Sequence, residues 1–385
     1  MITKKKIFIF LDYYLPGTKA GGPVQTIQSL IRLTGNQLRY FILTSSFDSR
    51  EPEVYRNIAP NKWEEIEGTP IFYAEGLPSF INQLNKIRRD ADIVYINSFF
   101  SVGFSIVPIV YLVLKGFKGR IIVAPRGELT KGAMSIGPFK KRAYLFLFNT
   151  FINRKNIEFH CTSIQEREST RRLIGEKNHF HQIFNPIHFE HLVEYKSNFN
   201  RIGKNKNSIR LVYISRITPK KNLHLILETL SEINETAVTF TIIGNIDDEG
   251  YWTFCKSKID KLKSNIKIIC LGHLVKSRLL EKLIHSDLFV LPTKNENFGH
   301  AIVEAMFMGC PILISDQTPW TDINEFGGGA ALSLNQKDDW LSYITMISNL
   351  EEIQWQRKSQ QVLSYIKKSL NRENIKNEYI KLFSN

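Results

Sequence analysis

The chain alternates short apolar segments with segments of helical periodicity, and this alternation runs twice along its length. The first half contains the apolar segments KIFIFL, RYFILTS, ADIVYIN, RIIVAP and IEFHCTS, separated by helical patterns such as AGGPVQTIQSLIRLT. The second half restarts with IRLVYIS, VTFTIIG, IKIICLG, SDLFVLP and PILISD. Alternation of this kind is typical of parallel sheets covered by helices. The sequence therefore predicts an α/β fold of two Rossmann-like domains, whose parallel sheets face each other across a cleft.

The domain boundaries follow from the polar segment YKSNFNRIGKNKNS, the most linker-like part of the chain. We predict an N-terminal domain over residues 1–195, a linker over 196–207, a C-terminal domain over 208–365, and a final helix over 366–385 that can return to the first domain. A chain of 385 residues gives each domain enough length for its own core. The 43% hydrophobic and 23% charged content is that of an ordinary globular protein.

Three features of the sequence indicate whether the chain spans a membrane and whether it belongs to an oxidising or a reducing compartment. Residues 93–114 carry no charge over a length that could cross a bilayer, but polar residues and a proline interrupt them, which favours a strand, a loop and a buried helix. The N-terminus lacks a signal-peptide pattern, so Lys6 to Leu11 is predicted to be the first strand. The four cysteines form no C-x-x-C pair and are predicted to be buried thiols. These features favour a protein of the reducing cytoplasm.

The segment NENFGHAIVEAMFMGCP places Glu296 and Glu304 around a predicted helix start. SDLFVLPT before it is predicted to be a buried strand and CPILISD after it another, with the helix starting near Asn297 or Phe298 and ending at Gly309. Unpaired backbone N–H groups at a helix start suit an anion such as phosphate.

Two carboxylates facing that anion would repel it, so they are better employed as acceptors for hydroxyl groups on either side of it. A nucleotide sugar fits this pattern, because its phosphates lie between a ribose and a second sugar. The alternative, that both glutamates are solvated and one is a favourable acid in a first helical turn, stays open.

Other residues indicate anion binding at strand-to-helix turns. Gly21 and Gly22 lie between the first strand and the first helix, where glycines allow a ligand to approach the backbone, although a simple tight turn explains them equally. Arg216 and Lys221 follow the first strand of the second half. Cations at the carboxyl edge of a parallel sheet could neutralise a diphosphate leaving group, or could be exposed charges.

No metal site is predicted. Asp90-Ala91-Asp92 has the D-x-D pattern of metal-dependent sugar transferases, but it precedes a strand and is interpreted as a turn. The sequence has no cluster of His, Cys and Glu at metal-ligand spacing.

Basic charge is concentrated in the first half of the chain. Residues 1–200 contain 27 Lys and Arg against 17 Asp and Glu, and residues 115–155 contain ten basic residues and one acid. Aromatic residues are interspersed, as in KKRAYLFLFNTFINR. Such a surface suits nucleic acid, an anionic membrane or a diphosphate-linked ligand, with a solvated basic face as the alternative. No nucleic-acid-reading motif accompanies it, so nucleic acid is not expected as a partner.

In combination these motifs resemble the GT-B glycosyltransferases, and among them the large family 4 of retaining nucleotide-sugar transferases. The resemblance rests on ENFGHAIVE in its context, on SRITPKKN, on the AGGP loop, and on APRGELTKGAM and FNPI. It covers nearly the whole chain and is greatest to the bacterial branch that builds O-antigen, capsule or exopolysaccharide repeat units.

The resemblance implies a role for each matched residue of the second half. Glu304 would hold the ribose hydroxyls, and Glu296 would lie near the donor sugar. Arg216 and Lys221 would stabilise the departing diphosphate. Backbone N–H groups would meet the α-phosphate or the sugar at Asn297, Phe298, Gly299 and His300.

In the first half, the Gly21–Gly22 loop would close over the diphosphate. Where relatives often have a His-Gly pair, this chain has Asn97-Ser98, and Ser215 and Asn222 replace glycines around the Arg–Lys motif. The candidates for the acceptor side are Arg126, Glu128, Lys131 and Asn97.

The resemblance therefore implies a retaining, metal-independent hexosyl- or N-acetylhexosaminyl-transferase without a cofactor. Its donor would be a nucleotide sugar, with a UDP-sugar favoured, and its acceptor a lipid-diphosphate-linked saccharide. The protein is expected to be cytoplasmic and peripherally bound to the anionic inner membrane. Two alternatives stay open, namely a transferase for a soluble acceptor such as a sugar phosphate, and a non-catalytic sugar- or nucleotide-binding protein of the same fold.

Overall fold

The computed structural model of the chain describes residues 4–17, 21–48, 53–56, 58–135, 137–153, 156–187, 192, 196 and 201–384. Part of the predicted linker, 197–200, and residue 20 of the AGGP loop lie outside these ranges. Contacts divide the chain into two compact units. The first comprises Met1–His188 together with Arg372–Asn385, and the second comprises Phe189–Asn371.

The first unit is built on an eight-stranded sheet in the order β3-β4-β2-β1-β5-β6-β7-β8. Its strands are β1 (Lys6–Phe10), β2 (Arg39–Ser45), β3 (Trp63–Ile66), β4 (Thr69–Ala74), β5 (Ile93–Asn97), β6 (Arg120–Ala124), β7 (Ile157–Cys161) and β8 (Phe180–Gln182). Only the pairing of β3 with β4 is antiparallel. The strand order reverses between β1 and β5, and open α/β sheets bind ligands outside the carboxyl ends of strands at such a point.

The central strands are buried on both faces, which explains why their sequences are continuously apolar. Every residue of β5 and β7 is buried. The helices around them are α1 (Gly22–Thr34), α2 (Leu77–Asp90), α3 (Val107–Leu114), α4 (Lys131–Met134), α5 (Pro138–Leu147) and α6 (Ile164–Ile174), with π-helical turns at Val102–Ile106 and Phe148–Ile152.

The uncharged segment 93–114 folds as the predicted strand, loop and helix. After β5 and the first π-helical turn, α3 buries Pro108, Ile109 and Leu112 while Leu114 is exposed. Among the helices of the described ranges, none has both the length and the apolar character that a membrane span requires.

The second unit is built on six parallel strands in the order β11-β10-β9-β12-β13-β14. The strands are β9 (Ser208–Ile214), β10 (Ala237–Ile243), β11 (Ile266–Gly272), β12 (Leu288–Leu291), β13 (Ile312–Ser315) and β14 (Gly329–Leu332). Counted from β9, this is the doubly wound order 3-2-1-4-5-6 of dinucleotide-binding folds. The reversal lies between β9 and β12, so a ligand site is expected beyond their carboxyl ends. The predicted α/β fold class is confirmed.

The helices of the second unit include the predicted amphipathic helices near the C-terminus. They are α7 (Leu223–Leu230), α8 (Glu249–Ile259), α9 (Lys276–Ile284), α10 (His300–Phe307), α11 (Lys337–Ser348) and α12 (Glu352–Ser369), with a 3₁₀ turn at Thr321–Glu325.

The last helix, α13 (Arg372–Ser384), belongs to the first unit. It buries Tyr379, Leu382 and Phe383, and the Leu382 carbonyl accepts a hydrogen bond of 2.7 Å from Arg120. Arg120 also donates two hydrogen bonds to Glu158. Burial alone would raise the pKa of Glu158, but these bonds and the contact with His181 lower it to about 2. The helix is thus tied to a charged cluster of the first sheet.

The cysteine prediction was wrong at one position. Cys161, Cys255 and Cys310 are buried, but Cys270 is exposed. Cys270 lies on β11, the outermost strand of its sheet, where a continuously apolar sequence does not guarantee burial on both faces.

Candidate active site

The loop between β12 and α10 carries most of the predicted donor-site residues. Helix α10 begins at His300, later than the predicted start near Asn297 or Phe298, because Gly299 before it has a left-handed backbone with φ of 79°. A Cβ on Gly299 would lie 2.7 Å from Ile302 Cδ1 and 3.1 Å from Glu296 Cγ. Both conformation and space therefore require glycine here. In general the first N–H groups of an α-helix have no partner within the helix, which suits an anion at its start.

Hydrogen bonds hold this loop to the loops that follow β9 and β13. The Glu296 N–H donates to Gln317 O at 2.9 Å, and the Lys294 N–H donates to Lys220 O at 2.9 Å. Trp320 Nε1 donates to the carbonyl of the buried Phe298 at 2.6 Å. The loop is thus fixed at the point where the strand order reverses.

Glu296 and Lys221 are in contact, 2.5 Å apart between Oε2 and Nζ. Both side chains are largely buried, with 19% and 11% exposure. Burial alone would raise the pKa of Glu296, but the ammonium of Lys221 outweighs it and holds the pKa below its usual range. The pair therefore places one fixed negative and one fixed positive charge at the ends of β12 and β9.

Arg216 follows β9 and has the exposure that a ligand-binding cation needs. Its side chain is 65% exposed, and NH1 lies 3.1 Å from Oδ2 of Asp247, which follows β10 and is largely buried. The close approach of Gly244 to Ser215 fixes the backbone beside it, because a Cβ on Gly244 would lie 2.0 Å from the Ser215 carbonyl oxygen. The guanidinium is therefore anchored at one side and free to turn toward an anion at the other.

Glu304 lies in the second turn of α10 and pairs with Lys276, the first residue of α9. The Glu304 side chain is 9% exposed. Its neighbours Ile302, Ala305 and Met306 are buried, as is Met308, so the predicted apolar stripe is confirmed. Gly309 follows with φ of 74° and ends the helix as predicted. Glu304 is consequently the polar residue on a largely apolar helix.

The predicted glycine loop of the first unit is described only from Gly21 onward. Gly21 caps α1 with φ of 67°, and a Cβ on this residue would have no atom of the described residues within 4 Å. Gly22 begins the helix. The left-handed backbone at Gly21 is a conformation that favours glycine.

Two of the acceptor-side candidates meet in the first unit. Arg126, just after β6, donates from Nε to the Asn97 amide oxygen at 2.6 Å, and Asn97 ends β5. Arg126 also donates to Asn185 at 2.5 Å and to the Tyr95 hydroxyl at 2.9 Å. Asn97 thus positions the guanidinium of Arg126.

Glu128 and Lys131 do not join this contact. Glu128 accepts hydrogen bonds from the Phe99 N–H at 2.6 Å, the Phe100 N–H at 3.0 Å and the Ser98 hydroxyl, so it shapes the loop after β5. Burial nevertheless raises its pKa above the usual range. Lys131 begins the short helix α4 and is exposed.

Sequence reasoning missed Lys276, Asp247, Tyr95 and Asn185. Lys276 and Asp247 reach the site only because α9 and β10 are placed beside α10 and β9. Asn185 lies within FNPI, which was noted for its resemblance but given no role. Tyr95 sits inside an apolar strand, where a tyrosine gives no sign of a polar function.

The arrangement supplies cations and hydroxyl acceptors, and the described residues contain no group of three or more His, Cys, Asp or Glu that could hold a metal ion. Asp90 ends α2, and Asp92 accepts the Lys6 N–H at 2.8 Å, so the D-x-D pattern is the predicted turn.

The second unit matches a known family. Residues 194–367 match the family model of the glycosyl transferases group 1. A tRNA-queuosine alpha-mannosyltransferase of Drosophila melanogaster is 34% identical over 104 residues, which cover 26% of this chain and 27% of that protein. The chain spans 27% or less of the length of the curated relatives it matches.

Solved structures resemble the chain over nearly its whole length. Anabaena HepE, solved in complex with UDP and glucose, has a TM-score of 0.71 at 14% identity, covering 99% of this chain and 100% of that one. Sucrose-phosphate synthase from Thermosynechococcus elongatus has a TM-score of 0.74 at 13% identity, covering 99% and 98%. The chain therefore has the GT-B fold, and its residues 194–367 match the model of the glycosyl transferases group 1 family.

Proposed function

We propose that the protein is a retaining glycosyltransferase that moves a hexose or N-acetylhexosamine from a nucleotide sugar, with UDP as the favoured nucleotide, to a lipid-diphosphate-linked saccharide. The observation that carries the proposal is the pair of carboxylates around the start of α10, each beside a lysine, at the reversal point of a group 1 domain. The UDP preference is supported by the resemblance to HepE, which was solved with UDP and glucose.

Different residues of the site bind different parts of the donor. Glu304 accepts hydrogen bonds from the ribose hydroxyls, and Glu296 faces the donor sugar. The α-phosphate lies against the backbone N–H groups between Asn297 and His300, where the positive end of the α10 dipole favours it.

Arg216 and Lys221 stabilise the charge that develops on the leaving diphosphate. In the reaction the bond between the anomeric carbon and the β-phosphate oxygen breaks, and a bond from that carbon to the acceptor hydroxyl oxygen forms on the same face. The hydroxyl proton passes to the leaving phosphate oxygen. Lys221 is held in place by Glu296 and needs little reorganisation when charge develops, whereas Arg216 turns toward the departing diphosphate.

A thermal-shift screen with UDP-, GDP-, ADP- and dTDP-sugars in the presence of EDTA tests the donor site. We expect one nucleotide class, UDP, to raise the melting temperature by several degrees, because a ligand at 100 times its Kd stabilises the native state by about 2.7 kcal/mol. EDTA is expected to change nothing, because the two cations hold the diphosphate. The absence of a shift with every nucleotide at millimolar concentration would favour a non-catalytic binding protein.

Membrane binding is proposed through an exposed face on α5 and the π-helical turn after it, here called the α5 face. It consists of the exposed apolar side chains Phe139, Phe146, Leu147 and Phe151 and the exposed cations Lys140 and Arg142. Phe146 and Phe151 are 67% and 62% exposed. Apolar side chains ringed by cations suit the surface of the cytoplasmic face of an anionic bacterial membrane. Such a face supports a lipid-linked acceptor in O-antigen, capsule or exopolysaccharide synthesis.

Flotation with phosphatidylglycerol vesicles tests the α5 face. Lys140→Gln combined with Arg142→Gln is expected to weaken binding about 30-fold at low salt, at about 1 kcal/mol per cation. Phe146→Ser combined with Phe151→Ser is expected to remove the binding that persists at high salt. Lys256→Gln combined with Lys261→Gln, an equal charge change on exposed residues of the second unit, serves as the control. Wild-type protein that stays unbound at low salt would exclude this surface.

The partitioning of the product decides between the two kinds of acceptor. A lipid-linked product extracts into organic solvent, whereas the product from a soluble sugar phosphate stays in water. We expect extraction into the organic phase. An exposed apolar surface such as the α5 face is typical of membrane or protein contact, and contact with the membrane would bring the protein to a lipid-linked acceptor.

A further inference from the structure

Arg126 is a cation whose hydrogen-bond partners among the described residues are all neutral. Its guanidinium donates to two amide oxygens, of Asn97 and Asn185, and to the hydroxyl of Tyr95. Within the described ranges no carboxylate forms an ion pair with it. The guanidinium is partly buried, so it has lost part of its hydration without gaining a counter-charge.

The polarity of this cluster is fixed by the buried His160. Its Nε2 lies 2.9 Å from the Ile183 carbonyl oxygen, which can only accept, so Nε2 carries the proton and Nδ1 is an acceptor. The Tyr95 hydroxyl therefore donates to Nδ1 at 2.7 Å and accepts from Arg126. Burial, and then the charge of Arg126, lowers the pKa of His160 to about 3, so the ring stays neutral. No group in this chain of hydrogen bonds can neutralise the guanidinium.

The carboxylates on either side are engaged elsewhere. Glu166 accepts from the Gly127 N–H at 2.5 Å and from the Thr162 N–H at 2.7 Å. Glu128 accepts from the loop after β5 and is likewise saturated by neutral donors. Both therefore stabilise backbone and do not reach the guanidinium.

The backbone of Arg126 is strained as well. Its φ of 52° is left-handed, a conformation that non-glycine residues adopt at a cost and that clusters at functional sites. The residue follows β6, and its partner Asn97 ends β5, next to the reversal point of the first sheet. This backbone conformation places Arg126 at the edge of the sheet where ligands of such folds bind.

A guanidinium has five N–H groups, and the described residues accept from three of them, which leaves one on each terminal nitrogen for a ligand. Two parallel N–H groups match two oxygens of a phosphate or diphosphate. We propose that Arg126 binds the phosphate or diphosphate of the acceptor through these two groups. This assignment rests on the proposed function, since it names the acceptor as an anionic saccharide, whereas the donor residues lie in the second unit.

Inorganic pyrophosphate is the probe, titrated by calorimetry into protein whose donor site is saturated with UDP. The decisive variant is Asn185→Asp, which keeps the shape of the side chain and supplies the missing carboxylate. We expect it to weaken pyrophosphate binding about 30-fold, in the range for a lost charge pair, while thermal stability is unchanged or higher. Arg126→Lys, which removes the bidentate geometry, is expected to weaken binding as well.

The control is Asn82→Asp, which adds the same charge at an exposed position of α2. Equal pyrophosphate affinity of wild type, Asn185→Asp and Arg126→Lys would overturn the assignment. So would a failure of the wild type to bind pyrophosphate at all. The comparison of wild type with Asn185→Asp can also be made without UDP, so a failure of UDP to bind would count against the proposed function and not against Arg126.

Two competitors identify the source of the anion. Glucose 1-phosphate represents a soluble sugar phosphate, and geranyl diphosphate represents a lipid diphosphate. Displacement of pyrophosphate from the wild type by geranyl diphosphate at lower concentration indicates a lipid-linked acceptor. Displacement by glucose 1-phosphate at lower concentration indicates a soluble one. In either case Asn185→Asp is expected to bind the competitor more weakly than the wild type does.

Discussion

Lys221→Ala is expected to lower kcat by about 10²–10³-fold. Lys221 is a preorganised cation in a water-poor site, and removing one such group that stabilises developing oxyanion charge costs about this factor. Its ammonium lies 2.5 Å from Glu296, and the side chain is only 11% exposed. The measurement is single-turnover transfer, or hydrolysis of the nucleotide sugar where no acceptor is at hand.

The same substitution is expected to lower stability, because Glu296 is left in a largely buried position without the ammonium that stabilises its charge. Breaking a buried ion pair in this way costs about 3–5 kcal/mol. Lys221→Ala combined with Glu296→Gln removes the orphan charge, so it should recover thermal stability without recovering kcat. This double variant separates a folding defect from a catalytic one.

Lys258→Ala is the matched control, because Lys258 pairs with Glu228 at 2.7 Å on helices outside the sheet edge. We expect its kcat to equal that of the wild type. A kcat for Lys221→Ala within about threefold of the wild type would remove Lys221 from the proposed mechanism.

Glu304→Ala is expected to raise the Kd for UDP about 100-fold. Hydrogen bonds from the two ribose hydroxyls to a carboxylate are worth about 1.5–3 kcal/mol each. Part of this is offset because the Lys276 ammonium, which pairs with Glu304 in the free protein, must make room for the ribose. Isothermal titration with UDP measures the effect.

The ribose contact itself is tested with 2′-deoxy-UDP. The wild type should bind UDP more tightly than the deoxy analogue. Glu304→Ala should bind the two equally, because the substitution removes the carboxylate of the same contact from which the analogue lacks the hydroxyl. Glu232→Ala is the control, because Glu232 also pairs with a lysine, Lys337, but follows the C-terminal end of α7 at the opposite edge of the sheet. Equal discrimination by wild type and Glu304→Ala would refute the assigned role.

The fold was predictable because the local sequence pattern of a strand or helix indicates that element. The strand β12, the helix α10 and the strand β13 were all expected from one continuous segment, and the structure places them there. The start of α10 shifted because the left-handed turn at Gly299 depends on what surrounds it, namely Ile302 and Glu296. Sequence periodicity predicts which face of a helix is buried, whereas the residue at which the helix begins depends on contacts between individual atoms.

The sequence predicted which residues belong to the candidate site, but it did not predict which other residues they pair with. Glu304 and Arg216 were singled out, but their partners Lys276 and Asp247 come from other elements, and no local pattern links them. Arg126 was named from APRGELTKGAM, yet its left-handed backbone and its neutral neighbours emerge only when β5, β6 and β8 pack together. Long-range pairing, rather than composition, decides which charges remain available.

The position of α13 fixes the order in which the chain can fold during synthesis. The first unit needs Tyr379, Leu382 and Phe383, which are buried in it, whereas the second unit is one continuous segment, Phe189–Asn371. Domains fold as units while the ribosome elongates the chain. The unit that starts first is therefore completed last, once α13 has been synthesised, and a nascent chain that ends before Arg372 exposes the apolar surface that α13 covers.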